Sequence, residues 1–118
     1  MVLAHVSIGE VLDKISILQI KLEHIHDEDK LVNIRHELAL LQDIPEIRGV
    51  DITQLYRVNL KLWKVEDQLR ELEKVYDFGD GFVQLARSVY KLNDERARIK
   101  KDINVATSSE VVEEKSYK

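Results

Sequence analysis

A helical pattern fills residues 7–25, which read SIGEVLDKISILQIKLEHI. Ser7 followed three residues later by Glu10 is typical of a capping box, in which the hydroxyl accepts a backbone N–H and the glutamate reaches back to the cap. Apolar residues then recur every three or four positions, as one face of a helix requires; they are Ile8, Leu12, Ile15, Leu18, Leu22 and Ile25. We therefore predict a first helix over residues 8–25.

The first helix is also apolar on a second face, where Ile17 and Ile20 lie. A helix with two apolar faces is either central in its bundle or covered by a partner. We favour the partner, and expect a homodimer with Ile17 and Ile20 in its interface.

A second apolar stripe predicts a helix over residues 28–42, with Asp27 as its cap and Pro45 beyond its end. Because the link to the first helix is short, these two helices are expected to lie antiparallel.

The second half of the chain predicts a longer hairpin. Helix three is expected over residues 52–76 and helix four over residues 81–104, each about 37 Å long. Gly79 is expected to give the turn its backbone freedom, and Asp80 to cap the fourth helix. Residues 106–118 lose the apolar pattern and are predicted to form a tail. The predicted fold is all-α, with two antiparallel helical hairpins, four helices in all, packed as a bundle.

Composition limits the classes of function. The 118 residues include no cysteine, which removes disulfides and thiolate chemistry, and the formal net charge of −4 argues against nucleic-acid binding. No apolar run approaches the roughly 20 residues of a membrane span, and the first residues lack the features of a secretory signal. We expect one cytoplasmic domain, residues 1–118, with no bound metal or cofactor, no nucleic-acid partner and no membrane contact.

Polar residues interrupt the apolar stripe of the fourth helix. Arg96 falls in the middle of the inward face and Asn93 at its edge, and counting back across the predicted turn places both near Glu66. One interpretation is a structural ion pair with an asparagine that fixes helix register. The other is that Arg96 holds an anionic ligand, such as a sugar phosphate, in a crevice between helices, since a guanidinium suits phosphate and carboxylate.

Asp13 and Lys14 form a second polar patch, on the first helix. A solvated face or the edge of a dimer seam explains this patch. The alternative places both residues in the same site as Arg96, at a distance that the sequence does not fix. His24 and His26 lie at a predicted helix end, where imidazolium is favoured, and their spacing does not match a structural zinc site.

Three segments carry a family resemblance: GEVLDKISIL at 9–18, LARSVY with NDERA across 85–97, and EKSY at 114–117. Nearly end to end, the chain resembles a family of small uncharacterised helical proteins from bacteria, whose members tend to occur near glycosyltransferase and other surface-polysaccharide genes. The resemblance implies a role around glycan synthesis but no defined activity, and it implies that the tail docks on the bundle. The motif residues that it brings to attention are Asp13, Lys14, Asn93, Asp94, Arg96, Lys115 and Tyr117.

Two functions from different classes follow. The chain has no glycine-rich phosphate loop, no metalloprotease motif and no serine nucleophile elbow. We first expect a homodimeric interaction module with a possible protein partner. The alternative is a small-molecule-binding protein or enzyme whose crevice, formed by Glu66, Asn93 and Arg96, takes an anionic substrate. The candidate ligand-binding residues are Asp13, Lys14, Glu66, Asn93, Asp94 and Arg96.

Overall fold

The computed structural model describes residues 1–116 and confirms the predicted all-helical fold with four α-helices. A short 3-10 helix, Pro45–Ile47, lies in the connection between the second and third of them. The observed ends differ from the expected ones by one or two residues at most. The helices are α1 (Ile8–His24), α2 (Glu28–Gln42), α3 (Thr53–Lys74) and α4 (Asp80–Ala106).

The expected caps of α1 and α2 are present. The Ser7 hydroxyl accepts the Glu10 N–H at 3.0 Å, and the Asp27 carboxylate accepts the Asp29 N–H at 3.0 Å. The capping box of α1 is only half formed, because the Glu10 carboxylate does not bond back to the cap. It pairs instead with Lys100 on α4, at 2.6 Å. The Glu10–Lys100 ion pair therefore joins the start of α1 to α4.

The turn between α3 and α4 differs from the sequence expectation. Gly79 has an ordinary φ of −74°, whereas Tyr76 takes a φ of +55°. The Asp77 N–H donates to the Leu72 carbonyl at 3.0 Å, the six-to-one bond of a Schellman motif. Asp80 is the first residue of α4 and makes no cap bond. A tyrosine, rather than the glycine, therefore carries the left-handed conformation.

Helix α1 is the central helix and packs against α2, α3 and α4. Ile20 is 1% exposed within the single chain, and Ile17 is half-buried. Ile20 therefore needs no dimer partner, because the central position of α1 already covers it, whereas a place for the half-buried Ile17 in a dimer interface stays a prediction. Burial of each large aliphatic side chain contributes about 1.5–3 kcal/mol. The buried residues of this core include Leu12, Ile15, Leu18, Leu55, Val58 and Ile99.

The α3–α4 hairpin extends beyond this core. The buried residues of α3 end at Leu62, and those of α4 begin at Ile99. In residues 63–98, all of which the structure describes, no residue is buried. These residues are hereafter the arm. Two helices form the arm, and they meet α1 near its base through Trp63 and Arg96. The molecule measures 46 × 41 × 25 Å.

A second Schellman motif ends α4 and reverses the chain. Ser108 takes a φ of +54°, and the Ser109 N–H donates to the Asn104 carbonyl at 2.9 Å. Residues 107–116, hereafter the C-terminal segment, then return along α4; Tyr117 lies outside the described residues. Within residues 1–116, no helix has both the length and the apolar character needed to cross a bilayer.

Candidate functional site

A buried ion pair joins α1 to α4. The Nε of Arg96 donates to Oδ1 of Asp13 at 2.8 Å, and its Nη2 donates to Oδ2, so that the guanidinium fork grips both carboxylate oxygens. The Asp13 side chain is 1% exposed and that of Arg96 is 29% exposed. The hydrogen bond to Asp13 raises the pKa of Arg96. The guanidinium of Arg96 therefore keeps its positive charge in this pair.

Two polar side chains complete this buried network. The Nδ2 of Asn59, on α3, donates to Oδ1 of Asp13 at 2.9 Å and to the Ser16 hydroxyl at 2.7 Å. The Ser16 hydroxyl in turn donates to the Asp13 backbone carbonyl at 2.7 Å. A buried charge is tolerated when its partners and hydrogen bonds are complete, and here three helices supply them.

Glu66 is not the partner of Arg96. Glu66 is exposed on α3, and the carboxylate comes from Asp13 on α1. The helical repeat of the sequence predicts which face of α4 carries Arg96. It does not predict which other helix packs against that face. Asp13 and Arg96 do lie together, in agreement with the interpretation that places Asp13 and Lys14 in one site with Arg96. Lys14 does not join them, because its Nζ is exposed and lies 3.9 Å from Glu37 on α2.

Arg96 also borders a groove of about 820 Å³ that runs along α4. Asp13 occupies its Nε and Nη2, and Nη1 makes no hydrogen bond within residues 1–116. Asn93, Lys100 and Asn104 line the same groove. Together with Arg96 they recur every three or four residues, so one face of α4 presents all four.

The C-terminal segment forms the opposite wall of the groove. The Ser7 hydroxyl donates to Oε1 of Glu113 at 2.9 Å, which ties the segment to the start of α1. The expected docking of the tail is therefore observed for its described part, and Asp94 serves to hold it. Ion pairs that fix the segment on α4 are Lys100–Glu113 at 3.1 Å, Lys101–Glu114 at 2.9 Å and Lys115–Asp94 at 2.7 Å.

Asn104 is the least exposed polar residue of the groove, at 1%. Its Oδ1 accepts the Gly9 N–H at 2.7 Å, which fixes the orientation of the amide. Its Nδ2 is buried and has no hydrogen-bond partner in the described part of the chain. A buried donor without a partner costs about 1–3 kcal/mol.

Lys100 is held between two carboxylates. Its Nζ lies 2.6 Å from Glu10 and 3.1 Å from Glu113. Burial lowers the pKa of Lys100, but the hydrogen bonds to Glu10 and Glu113 outweigh that effect and the pKa is raised. Lys100 is thus a fixed cation at the edge of the groove.

One half of the groove carries basic side chains, each of them paired with a carboxylate, and the other half is apolar. Val89 and Tyr90 line the apolar half, and Tyr90 is exposed. Such a groove fits a ligand that has both an anionic group and an organic body. The charged side chains at its wall, among the described residues, are Arg96, Arg98, Lys100, Lys101 and Lys115 against Asp102, Glu113 and Glu114.

The sequence interpretation missed Lys100, Asn104 and Glu113. The sequence does contain a signal for Lys100 and Asn104. It is a polar stripe at helical spacing, formed by Asn93, Arg96, Lys100 and Asn104. Glu113 gives no such signal, since its place at Ser7 depends on the chain reversal after α4.

The histidines of α1 make local contacts. The Nδ1 of His24 lies 2.8 Å from the Ile20 carbonyl oxygen, and its ring lies 5.2 Å from that of Trp63. Across the described residues, no three histidine, aspartate or glutamate side chains gather to hold a metal ion.

A protein-family model matches residues 2–118, nearly the whole chain, and is described as a family of unknown function, DUF6165. No curated protein and no solved structure matches the chain.

Proposed function

Because the chain belongs to this family of unknown function, DUF6165, which brings no activity with it, we propose a function from the groove itself. The protein binds a small phosphate-bearing molecule between α4 and the C-terminal segment. The observation that carries this proposal is the Nη1 of Arg96, a donor without a hydrogen-bond partner in the described part of the chain, on a groove wall that Lys100 shares.

The donors of the groove suit a phosphate group. Arg96 offers its Nη1 and Lys100 its ammonium group. Arginine and lysine are the side chains that most often bind phosphate, the first through a planar fork and the second as a point charge. Because Asp13 already fixes the guanidinium, Arg96 loses little conformational freedom when a ligand binds.

The rest of the groove suits an organic body attached to the phosphate. A volume of about 820 Å³ lies within the range of small-molecule sites. Tyr90 offers an aromatic face for a ring, with Val89 beside it. A phosphate monoester with a ring is therefore expected to bind more tightly than inorganic phosphate.

Calorimetric titration tests this function with inorganic phosphate, phenyl phosphate and phenol as probes. We expect phenyl phosphate to bind most tightly and phenol, which lacks the charge, not to bind. Lys100→Gln should weaken phenyl phosphate binding about tenfold, because one charge-assisted hydrogen bond contributes about 1.5–3 kcal/mol and tenfold corresponds to about 1.4 kcal/mol. Glu113→Gln should strengthen it, since the competing carboxylate is gone.

Lys74→Gln is the matched control, because Lys74 is an exposed lysine on the arm, away from the groove. Its phenyl phosphate affinity should equal that of the wild type. If no phosphate compound binds the wild type at millimolar concentration, or if Lys100→Gln and Glu113→Gln shift the affinity in the same direction, the groove is not the proposed site.

A second candidate function is the interaction module that the sequence favours. The arm supports this candidate, because none of its residues is buried and several apolar residues at its tip are exposed. The family resemblance adds the proposal that the module acts beside surface-polysaccharide synthesis. Removal of the gene from its host should then change the amount or length of that polysaccharide, and an unchanged polysaccharide would count against this role.

A further inference from the structure

The C-terminal segment is fixed to the bundle in two different ways. Its first residues form the turn after α4, where the Ser109 hydroxyl accepts the Ile8 N–H at 3.2 Å and the Ser109 N–H donates to the Asn104 carbonyl. Beyond this turn every residue of 110–116 is exposed, and within the described chain none of their backbone groups bonds to another backbone group. Residues 110–116, hereafter the strap, are therefore held by side chains.

The side chains of the strap hold it to α4 through charge. The strap reads EVVEEKS, with three glutamates against one lysine. In its ion pairs with α4, the side chains of Glu113, Glu114 and Lys115 are 45%, 74% and 39% exposed. Exposed ion pairs contribute little each and are weakened by competing ions. The strap is thus held by contacts that another anion can replace.

Glu113 occupies the place that the proposed ligand needs. Its Oε1 accepts the Ser7 hydroxyl at 2.9 Å, and its Oε2 lies 3.1 Å from the Nζ of Lys100. The pKa of Arg96 is raised chiefly by the hydrogen bond to Asp13, and the charge of Glu113 adds to that effect. Glu113 therefore acts on both cations that the proposed function assigns to phosphate.

A phosphate group and Glu113 cannot share Lys100. The side chain of Lys100 is only 13% exposed while Glu10 and Glu113 lie against it, so little of its ammonium group is open to a ligand. A phosphate beside Glu113 would also place two like charges in contact, which costs binding free energy. Glu10 belongs to α1, whereas Glu113 belongs to the strap, so Glu113 is the carboxylate that can leave.

We propose that the strap closes the anion site and swings away from α4 to admit the phosphate-bearing ligand, while the turn at Ser109 stays in place. This inference rests on the proposed function and adds the regulation of the same site. The measured affinity then depends on the fraction of molecules in which the strap is open, because only these can bind. Contacts that hold the strap closed therefore weaken ligand binding even where they lie away from Lys100.

A spin label on the strap tests the movement in the full chain. The 118 residues contain no cysteine, so Val112→Cys takes a single nitroxide label; Val32→Cys, at a 57% exposed position on α2, is the matched control. We expect the label at position 112 to be restricted without ligand and mobile with saturating phenyl phosphate. Phenol should leave it restricted, and the label at position 32 should not respond to either compound.

Lys115→Gln separates the strap from a plain charge effect. Lys115 lines the groove, so loss of its positive charge alone would weaken phosphate binding. Loss of its ion pair with Asp94 instead removes one tie of the strap. We expect greater mobility of the label without ligand, and phenyl phosphate binding that is up to about fivefold tighter, which corresponds to one exposed ion pair.

Arg98→Gln is the matched control for this variant. Arg98 also lines the groove, but it pairs with Asp102 on α4 itself. This variant should leave the label restricted and should not strengthen binding.

The results distinguish failure of the strap from failure of the site. If calorimetry shows that phenyl phosphate binds while the label at position 112 stays restricted, the strap inference is overturned and the anion site stands. A label that is already mobile without ligand, or a Lys115→Gln variant that binds no more tightly than the wild type, overturns it equally. If phenyl phosphate does not bind at all, the anion site itself fails and the strap inference falls with it.

Discussion

The Asp13–Arg96 pair is asymmetric in its exposure to water. Asp13 is enclosed by three helices, whereas Arg96 reaches the groove. Loss of the arginine therefore leaves a buried carboxylate without its cation. Loss of the aspartate charge leaves a guanidinium that water can reach through the groove. The two halves of one ion pair are thus expected to differ in how much the fold depends on them.

At the residue scale, Arg96→Met should lower the free energy of unfolding by about 3 kcal/mol, because breaking a buried pair on one side leaves an uncompensated charge. Asp13→Asn should cost about half as much, since Arg96 can be hydrated and Asn59 keeps a hydrogen-bond acceptor. Urea unfolding followed by circular dichroism measures both values.

Arg98→Met provides the comparison, because Arg98 forms an exposed pair with Asp102 and should change stability by no more than about 1 kcal/mol. Equal losses in the free energy of unfolding for Arg96→Met and Asp13→Asn would show that the difference in exposure does not determine how much each residue contributes to stability. The large cost expected for Arg96→Met also makes this variant unsuitable as a probe of ligand binding.

Helices α1 and α4 approach closely at Gly9. A Cβ on this residue would lie 2.7 Å from the Lys100 carbonyl oxygen and 2.9 Å from Oδ1 of Asn104. Both of these atoms are held in place, the first by the helix backbone and the second by the Gly9 N–H. The side chains that form the basic half of the groove therefore depend on a glycine in the facing helix.

At the element scale, Gly9→Ala should destabilise the protein by about 1–3 kcal/mol, because the added methyl group forces α1 away from α4. Gly81→Ala, in the first turn of α4, should be neutral or stabilising by up to about 1 kcal/mol, since no described atom outside the neighbouring residues and backbone of its own helix lies within 4 Å of the added Cβ. Thermal unfolding of both variants tests the difference. Similar melting temperatures would contradict the close approach.

The sequence predicted elements better than contacts between elements. The hydroxyl of Ser7 and the carboxylate of Asp27 are local signals, and both caps are found where expected. The sequence predicts that Gly79 gives the turn after α3 its backbone freedom, because glycine adopts unusual conformations at little cost. The structure uses Tyr76 instead, which no rule of backbone preference would select.

The contacts of the site depended on how the helices pair. Helical spacing correctly put Arg96 on an inward face, but the spacing is silent on whether α1 or α3 lies against that face. The sequence also cannot say what covers Ile20, because an apolar face has the same sequence pattern whether the same chain or a partner covers it. Helical periodicity cannot predict the position of Glu113, since a turn after α4 sets that position.

At the scale of the whole molecule, the core and the arm should differ in local stability. Hydrogen exchange followed by mass spectrometry should show the slowest amides in α1, which the other helices surround, and faster ones in the arm. Uniform protection across the chain would contradict the division into core and arm.

The contacts between α1 and α4 also govern the order of events while the chain is being made. Asp13 meets Arg96 across 83 positions of sequence, and Ser7 meets Glu113 across 106. The helix at the centre of the fold therefore leaves the ribosome long before the helix and the segment that bury it. Until they follow, a nascent chain carries α1 with its carboxylate and its apolar faces in water, the state in which chaperones bind hydrophobic segments.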